Sequence, residues 1–290
     1  MKNQCNGQKS FNFLWQIFKI CCRIRGTFFI GDDYLPSFYA HARFGQQAAQ
    51  SIPEQLTVQR FPQLFHVGCY GPDFFFFYQP MFKTKMGALG SQFHHQTGKE
   101  FFEAAAAHLK GNPSEGGRAY LYGVLCHYAL DSVCHPLIRR ESAEGCPGHT
   151  ELEAEFDRHL LTLDGKEAPH RQNLGRKMKL TWGECVTVSG FYPPATAYTV
   201  RLGVGTMALV CRALTMKNRE LLQTLFRLGG TYAVQLVMFT RPNHRCAHLI
   251  EPLEQLYQQA LERFPTLAAQ LDALLENGTP LGPEFDATFG

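Results

Sequence analysis

His127 and Asp131 lie four residues apart, Asp131 and His135 four again, and His149 and Glu153 repeat the interval after a short polar connection. On an α-helix, residues at that spacing share one face. The pattern therefore sets imidazoles and carboxylates side by side. Neutral imidazole nitrogens and carboxylate oxygens are the donors that zinc takes when no thiolate is used. A single His-x-x-x-Asp pair is commonly no more than a hydrogen-bonded pair. Two such pairs linked by a third His within the 27 residues from His127 to Glu153 point instead to a metal site. Three or more such ligands around an open position can activate water near neutral pH.

These ligands need elements to hold them. An apolar run at residues 119–125 leads into His127, and Ser114 is placed to cap the helix that carries it. That helix is expected to run to about Val133, with Pro136 ending it or beginning the next turn. Residues 150–163 read as the next helix, and 99–110 as an earlier one stopped by Gly111-Asn112-Pro113. Residues 41–50 have helical character. Ser51-Ile52-Pro53-Glu54 resembles a capping box that opens a helix ending before Pro62. Gly71-Pro72-Asp73 reads as a tight turn that presents a carboxylate. The aromatic run 74–78 is either buried core or a wall that contacts lipid.

After a polar loop at 164–172 and a break at Phe191-Tyr192-Pro193-Pro194, residues 203–228 and 246–264 show apolar residues at three and four spacing. Pro265 is expected to open a last helix, stopped by Asn277-Gly278. The tail, 279–290, reads as loose. Strand signals are few and no internal repeat appears. The expectation is an all-α, single multi-helix domain over 36–278, with the metal site in a cleft between helices.

At 290 residues and 45% hydrophobic, the chain can bury a sizeable core. A net charge of +3 gives no strong nucleic-acid footprint. Ten cysteines without a C-x-x-C pair suggest free thiols and a cytoplasmic setting, with membrane association as an alternative. Cys126 and Cys134 flank ligands but point elsewhere on a helix, so both read as buried thiols. No apolar run reaches the length of a transmembrane helix.

Residues 1–35 stand apart. Their aromatic stretch is interrupted by Lys19, Arg23 and Arg25, unlike the unbroken core of a signal peptide. They read as an extension outside the domain, either disordered or a mis-called start. Leu35 would be the start if a TTG codon initiates there, leaving Pro36 as the mature N-terminus.

His41, Gly-Pro-Asp73, His94, His127-x-x-x-Asp131, His135 and His149-x-x-x-Glu153, in that order, together resemble the zinc-dependent phospholipase C family, whose all-α fold is shared with S1/P1 nucleases. The resemblance spans about residues 36–157. It implies two or three zinc ions. One would lie between Asp73, His94, His127 and Asp131, and a second would be held by His135, His149 and Glu153. A third would use His41 and share Asp131, completed in the family by the backbone of the N-terminal residue. His95 competes with His94; the distance of His94 from Phe101-Phe102 fits the family better. Two features depart from the pattern. Pro36 stands where the secreted enzymes begin with Trp, and His135 lies four rather than six residues after Asp131. Asp157 extends the His149–Glu153 face and is a candidate for orienting a ligand imidazole. His66, His108, His159, His170, His244 and His248 read as core or surface residues.

The implied activity is phosphodiester hydrolysis of a phospholipid headgroup by a zinc-activated water, with Asp73 as general base and transient contact with a membrane surface. A single-strand nuclease on the same site, and a metal-stabilised binding protein without catalysis, are the alternative readings.

Overall fold

The computed structural model describes residues 37–80, 84–143, 147–228 and 234–290. The expected extension at 1–35 and the start at Pro36 lie outside these residues. Eleven α-helices are formed among the described residues. They are α1 (Phe38–Ala48), α2 (Gln55–Arg60), α3 (Pro62–Gly68), α4 (Lys85–His95), α5 (Gly98–Gly111), α6 (Glu115–Ser142), α7 (His149–Leu163), α8 (Trp182–Ser189), α9 (Ala197–Ala213), α10 (Arg219–Leu228) and α11 (Ala247–Asn277). Among the described residues the extended pairing is limited to one isolated bridge, Thr97 with Thr288. One continuous apolar cluster joins helices from both halves of the chain, so the single-domain, all-α expectation holds.

The centre of the fold is α6. Ser114 caps it, its hydroxyl accepting from Gly117 N at 3.0 Å. From Gly116 to Leu130 nearly every side chain is buried. Such a helix must be covered on all sides, and α3, α11, α1 and α2 cover it. The contact with α3 is a backbone crossing at glycines. A Cβ at Gly123 would lie 2.2 Å from the Phe65 carbonyl oxygen, and one at Gly68 would lie 2.3 Å from that of Tyr120. This approach fixes where α3 ends and hence where the turn to Asp73 begins.

Several elements differ from expectation, each for a packing reason. Pro136 does not end α6, which runs through it to Ser142 and keeps His135 and Ile138 buried on its inner face. Likewise Pro252 and Pro265 both lie inside one helix, α11, rather than Pro265 opening a new one. An interior proline costs about 3 kcal/mol. Along α11, Leu253, Tyr257, Ala260, Phe264, Leu267 and Leu271 form an unbroken buried stripe, and each large side chain contributes roughly 1.5–3 kcal/mol. The expected helix over 203–228 is two helices, α9 and α10, with Asn218 Oδ1 accepting from Leu221 N at 2.9 Å to start the second. Glu54 makes no side-chain cap; it pairs with Arg118 of α6 instead. Gly278 adopts the left-handed cap expected of it, at φ 69°.

The tail is not loose. Leu281, Phe285 and Phe289 are buried, Gly98 N donates to Ala287 O at 2.9 Å, and Tyr128 Oη donates to Glu284 O at 3.0 Å. Composition rich in Gly, Pro and Thr hides the two rings that anchor it. The aromatic run is likewise core: Phe74 to Phe77 are all buried, which removes the lipid-contacting alternative.

The glycine crossing gives a direct test. Alanine is the better helix former by about 1 kcal/mol, so Gly205→Ala on α9, with open space around its Cβ position, should raise the melting temperature. Gly123→Ala should lower it by several degrees, because overpacking costs about 1–3 kcal/mol. Equal effects of the two changes on thermal melting would contradict the crossing.

Candidate metal centre

Five elements bring candidate ligands to one place. The inner face of α6 carries His127, Asp131 and His135, all buried. The first turns of α7 carry His149 and Glu153, α1 carries His41, and α4 carries His94 near its C-terminal end. Asp73 follows the turn at Gly71, where φ is 47°. Three groups of potential ligand atoms result: His41, His127 and Asp131; Asp73, His94 and His127; and His135, His149 and Glu153, each with its atoms within 4.8 Å of one another. His95, by contrast, is exposed and belongs to none of the three groups.

The groups are linked. Asp131 Oδ1 lies 3.2 Å from His41 Nε2 and 3.8 Å from His135 Nε2, and its Oδ2 lies 3.2 Å from His127 Nε2. Asp73 Oδ1 lies 3.0 Å from His94 Nε2, and its Oδ2 lies 3.9 Å from His127 Nδ1. Glu153 Oε1 lies 3.5 Å from both His135 Nε2 and His149 Nε2. His127 and Asp131 thus join groups that are separated in sequence by more than a hundred residues.

The electrostatics favour a cation. Burial opposes ionisation of Asp131, but the imidazoles of His127, His135 and His41 outweigh it and hold the carboxyl far below its usual range. Burial likewise opposes ionisation of Glu153, and His149 and His135 keep its pKa low. Burial pushes His127 down to about 4, so its imidazole is neutral and ready to donate. His94 Nδ1 donates to Gly90 O at 2.8 Å; burial opposes charging this imidazole, but Asp73, whose Oδ1 lies 3.0 Å from Nε2, raises its pKa. Asp73 Oδ2, Glu153 Oε2, His41 Nδ1 and both ring nitrogens of His127 are buried without a hydrogen-bond partner. Buried polar atoms are ordinarily bonded. A divalent ion would supply the missing partner, and a nitrogen and oxygen donor set without thiolate fits zinc.

Two supporting features had no sequence signal of their own. Gly71 is a seat for a ligand ring, since a Cβ there would lie 2.3 Å from His127 Cδ2. The tail backs the same ligands: Gly290 N donates to His94 O at 3.2 Å, and the Phe289 ring lies 6.0 Å from that of His127. Asp157 takes a role other than the one expected. It orients no imidazole but accepts from Ser37 Oγ at 2.5 Å and from the backbone N of Tyr39 and Ala40 at 2.8 Å each, holding the first turn of the helix that carries His41. Burial raises its pKa to about 6 against those hydrogen bonds. Cys126 and Cys134 are buried thiols, as expected. His66, His108, His159, His170, His244 and His248 belong to none of the three groups.

Two outcomes follow from this geometry. In the metal-free protein, burial opposes charging His41, yet Asp131 prevails and pushes its pKa up to about 9. A ligand imidazole must be neutral, so zinc uptake there expels a proton. Affinity should tighten as pH rises toward about 9, and calorimetry near neutral pH in buffers of different protonation enthalpy should register proton release. Binding without proton release would contradict the role of His41. Separately, Phe289→Ala should cost about 3–5 kcal/mol of stability and loosen zinc retention against a chelator, with Phe289→Leu largely restoring both. Undiminished retention in Phe289→Ala would show that the tail packs without supporting the ligands.

The sequence model of one family, described as zinc dependent phospholipase C, matches residues 40–189. No curated protein and no solved structure matches the chain. The matched stretch is just over half of the chain and contains every residue of the three ligand groups, from His41 to Glu153. This chain belongs to the zinc-dependent phospholipase C family.

Proposed function

We propose that the protein is a metal-dependent hydrolase that cleaves the phosphodiester linkage of a phospholipid headgroup. The observation that carries this reading is the linked set of three carboxylates and five imidazoles, Asp73, Asp131 and Glu153 with His41, His94, His127, His135 and His149, all buried but the half-buried His149. In this reading they hold two or three zinc ions, with His127 and Asp131 between neighbouring sites. Zinc, when bound, neutralises phosphate oxygens and lowers the pKa of water.

The chain's own residues supply the remaining parts. Asp73 Oδ2 is buried and without a hydrogen-bond partner, while Oδ1 is occupied by His94 Nε2. We assign it the role of general base, accepting a proton from the attacking water. Phe76 lies against His94, its ring centroid 5.3 Å from the imidazole, and buried Phe74, Phe75 and Phe77 back the turn that carries Asp73. These rings fix the carboxylate and keep bulk water from behind it. Among the described residues no helix is long and apolar enough to cross a membrane, so a lipid substrate would be met at the bilayer surface.

The test uses phosphatidylcholine in mixed micelles. Release of phosphorylated headgroup should stop on chelation and return with zinc, and single-stranded DNA should be a far poorer substrate. Asp73→Asn should lower kcat by roughly 100- to 10,000-fold, with zinc content measured alongside to separate lost base from lost metal. Headgroup release that persists in excess chelator would contradict the proposal, and preferential cleavage of the DNA would redirect it to a nuclease.

A further inference from the structure

Of the eight large apolar side chains exposed among the described residues, four lie on two neighbouring helices: Trp182 and Val186 on α8, Tyr198 and Leu209 on α9. The other four are scattered over α2, α7, α10 and the stretch after it. Trp182, Val186 and Tyr198 are 54, 52 and 58% exposed. On α8, Trp182 and Val186 are one turn apart and share a face. On α9 the exposed residues are Tyr198, Arg201, Gly205, Leu209 and Arg212, at intervals of three and four that trace a single stripe. The opposite faces, with Cys185 and Val188 on α8 and Val200, Val204 and Met207 on α9, are buried. α8 and α9 pack against each other, so their outer stripes are neighbours on the surface.

The charge of this surface has one sign. From Arg171 to Ala213 the chain holds six Lys and Arg and one acid, Glu184, whereas the net charge of the whole chain is only +3. Glu184 is turned back on the start of its own helix, its carboxylate accepting from Thr181 N at 2.6 Å and from Thr181 Oγ1 at 2.8 Å. Arg176, Lys177, Lys179 and Arg201 are exposed. None of the four pairs with a carboxylate among the described residues, unlike Arg43, Arg118 and Arg158. Backbone contact brings two of them to the stripe. A Cβ at Gly175 would lie 2.8 Å from Ala208 Cα, so the turn Leu174–Lys177 crosses α9 beside Leu209. Lys179 lies three residues before Trp182, and Arg201 is within the stripe itself.

We infer that the outer faces of α8 and α9, with the turn Leu174–Lys177, dock the protein on a bilayer that contains anionic lipid. The choice of partner rests on the lipid-hydrolase reading; the face itself rests on exposure and charge. Trp and Tyr suit the headgroup layer, where the ring is sheltered and the N–H or O–H stays wet. Val186 and Leu209 add apolar area at the acyl boundary, and the cations meet anionic headgroups. That combination holds a helix in the plane of an interface. Single-stranded nucleic acid also pairs cations with aromatics, but Val186 and Leu209 offer it no ring to stack on.

The face also lies close to the metal centre. Gly203, on the buried side of α9, approaches the aromatic run so closely that a Cβ there would lie 2.5 Å from Phe74 O. A bilayer against the stripe is thus one helix diameter, about 10 Å, from the turn that carries Asp73.

The experiment measures partitioning of the full-length, zinc-loaded protein onto sedimented vesicles of phosphatidylcholine, alone or with phosphatidylglycerol. Trp182 is one of two tryptophans, so in Trp15→Phe the emission reports its surroundings alone. The expected result is binding to the phosphatidylglycerol vesicles, weakened by salt, with a blue shift of Trp182 emission. Lys177→Gln combined with Lys179→Gln should lower the partition coefficient roughly 25-fold, a factor of about five for each cation. Trp182→Ala and Tyr198→Ala should each lower it about tenfold. All four changes are at exposed positions, so the melting temperature should hold. Absence of binding to anionic vesicles, or unchanged partitioning in either aromatic variant, overturns the docking face. Single-stranded DNA bound through these residues, with no vesicle binding, overturns it in favour of a nucleic-acid surface. Headgroup release from monomeric short-chain phosphatidylcholine needs no docking and separates the two readings. Release without vesicle binding refutes the face and leaves the hydrolase intact, whereas vesicle binding without release supports the face and contradicts the hydrolase.

Discussion

A carboxylate buried to 3% exposure has to be balanced where it stands, and Asp131 is balanced by three imidazoles. His127 and His135 come from its own helix, one turn to either side. His41 comes from α1, ninety residues earlier in the chain. Each approach requires a different part of the fold to be correct. The two on α6 require only helical geometry. The one from α1 requires Asp157 to hold the first turn of that helix, and Arg43 and Tyr39 to tie it to Asp164 at the far end of α7, at 2.8 and 2.7 Å. The remaining ligands are then placed relative to this core, His94 through the tail, Asp73 through the glycine crossing of α3 and α6, and His149 with Glu153 through α7.

A buried charge surrounded by imidazoles is not a stabilising device in itself. Desolvating an ion costs several kcal/mol, and pairing only partly offsets that. The site adds buried atoms without hydrogen bonds, which cost stability. The fold around it is correspondingly rigid, a helix covered on all sides and aromatic rings behind the ligands. An ion recovers the cost only when bound, which makes metal affinity and domain stability two readings of the same free energy.

The ligand face of α6 and α7 was legible in the sequence because helical spacing alone places His127, Asp131, His135, His149 and Glu153. His41, Asp73 and His94 were legible only through the resemblance, since their approach depends on tertiary contacts. What escaped the sequence shares a cause. Pro136 and Pro265 are local signals to end or open a helix, overruled by buried stripes that continue past them. The tail reads as loose by composition, yet Phe285 and Phe289 are enough to bury it against Phe102 and Tyr128. Asp157 lies on the ligand face by spacing, but the chain delivers three donors from α1 to it first. In each case a non-local contact outweighed a local preference.

Asp131 is proposed to organise one connected metal centre. Crystals of the zinc-loaded protein, measured with anomalous diffraction on either side of the zinc absorption edge, test it most directly. Zinc peaks are expected at ligand distance, near 2 Å, from atoms of His127, of His41 or Asp131, and of Glu153, with neighbouring ions bridged through His127 or Asp131. Zinc found only at surface histidines such as His244 or His248, with none beside Asp131, would contradict it.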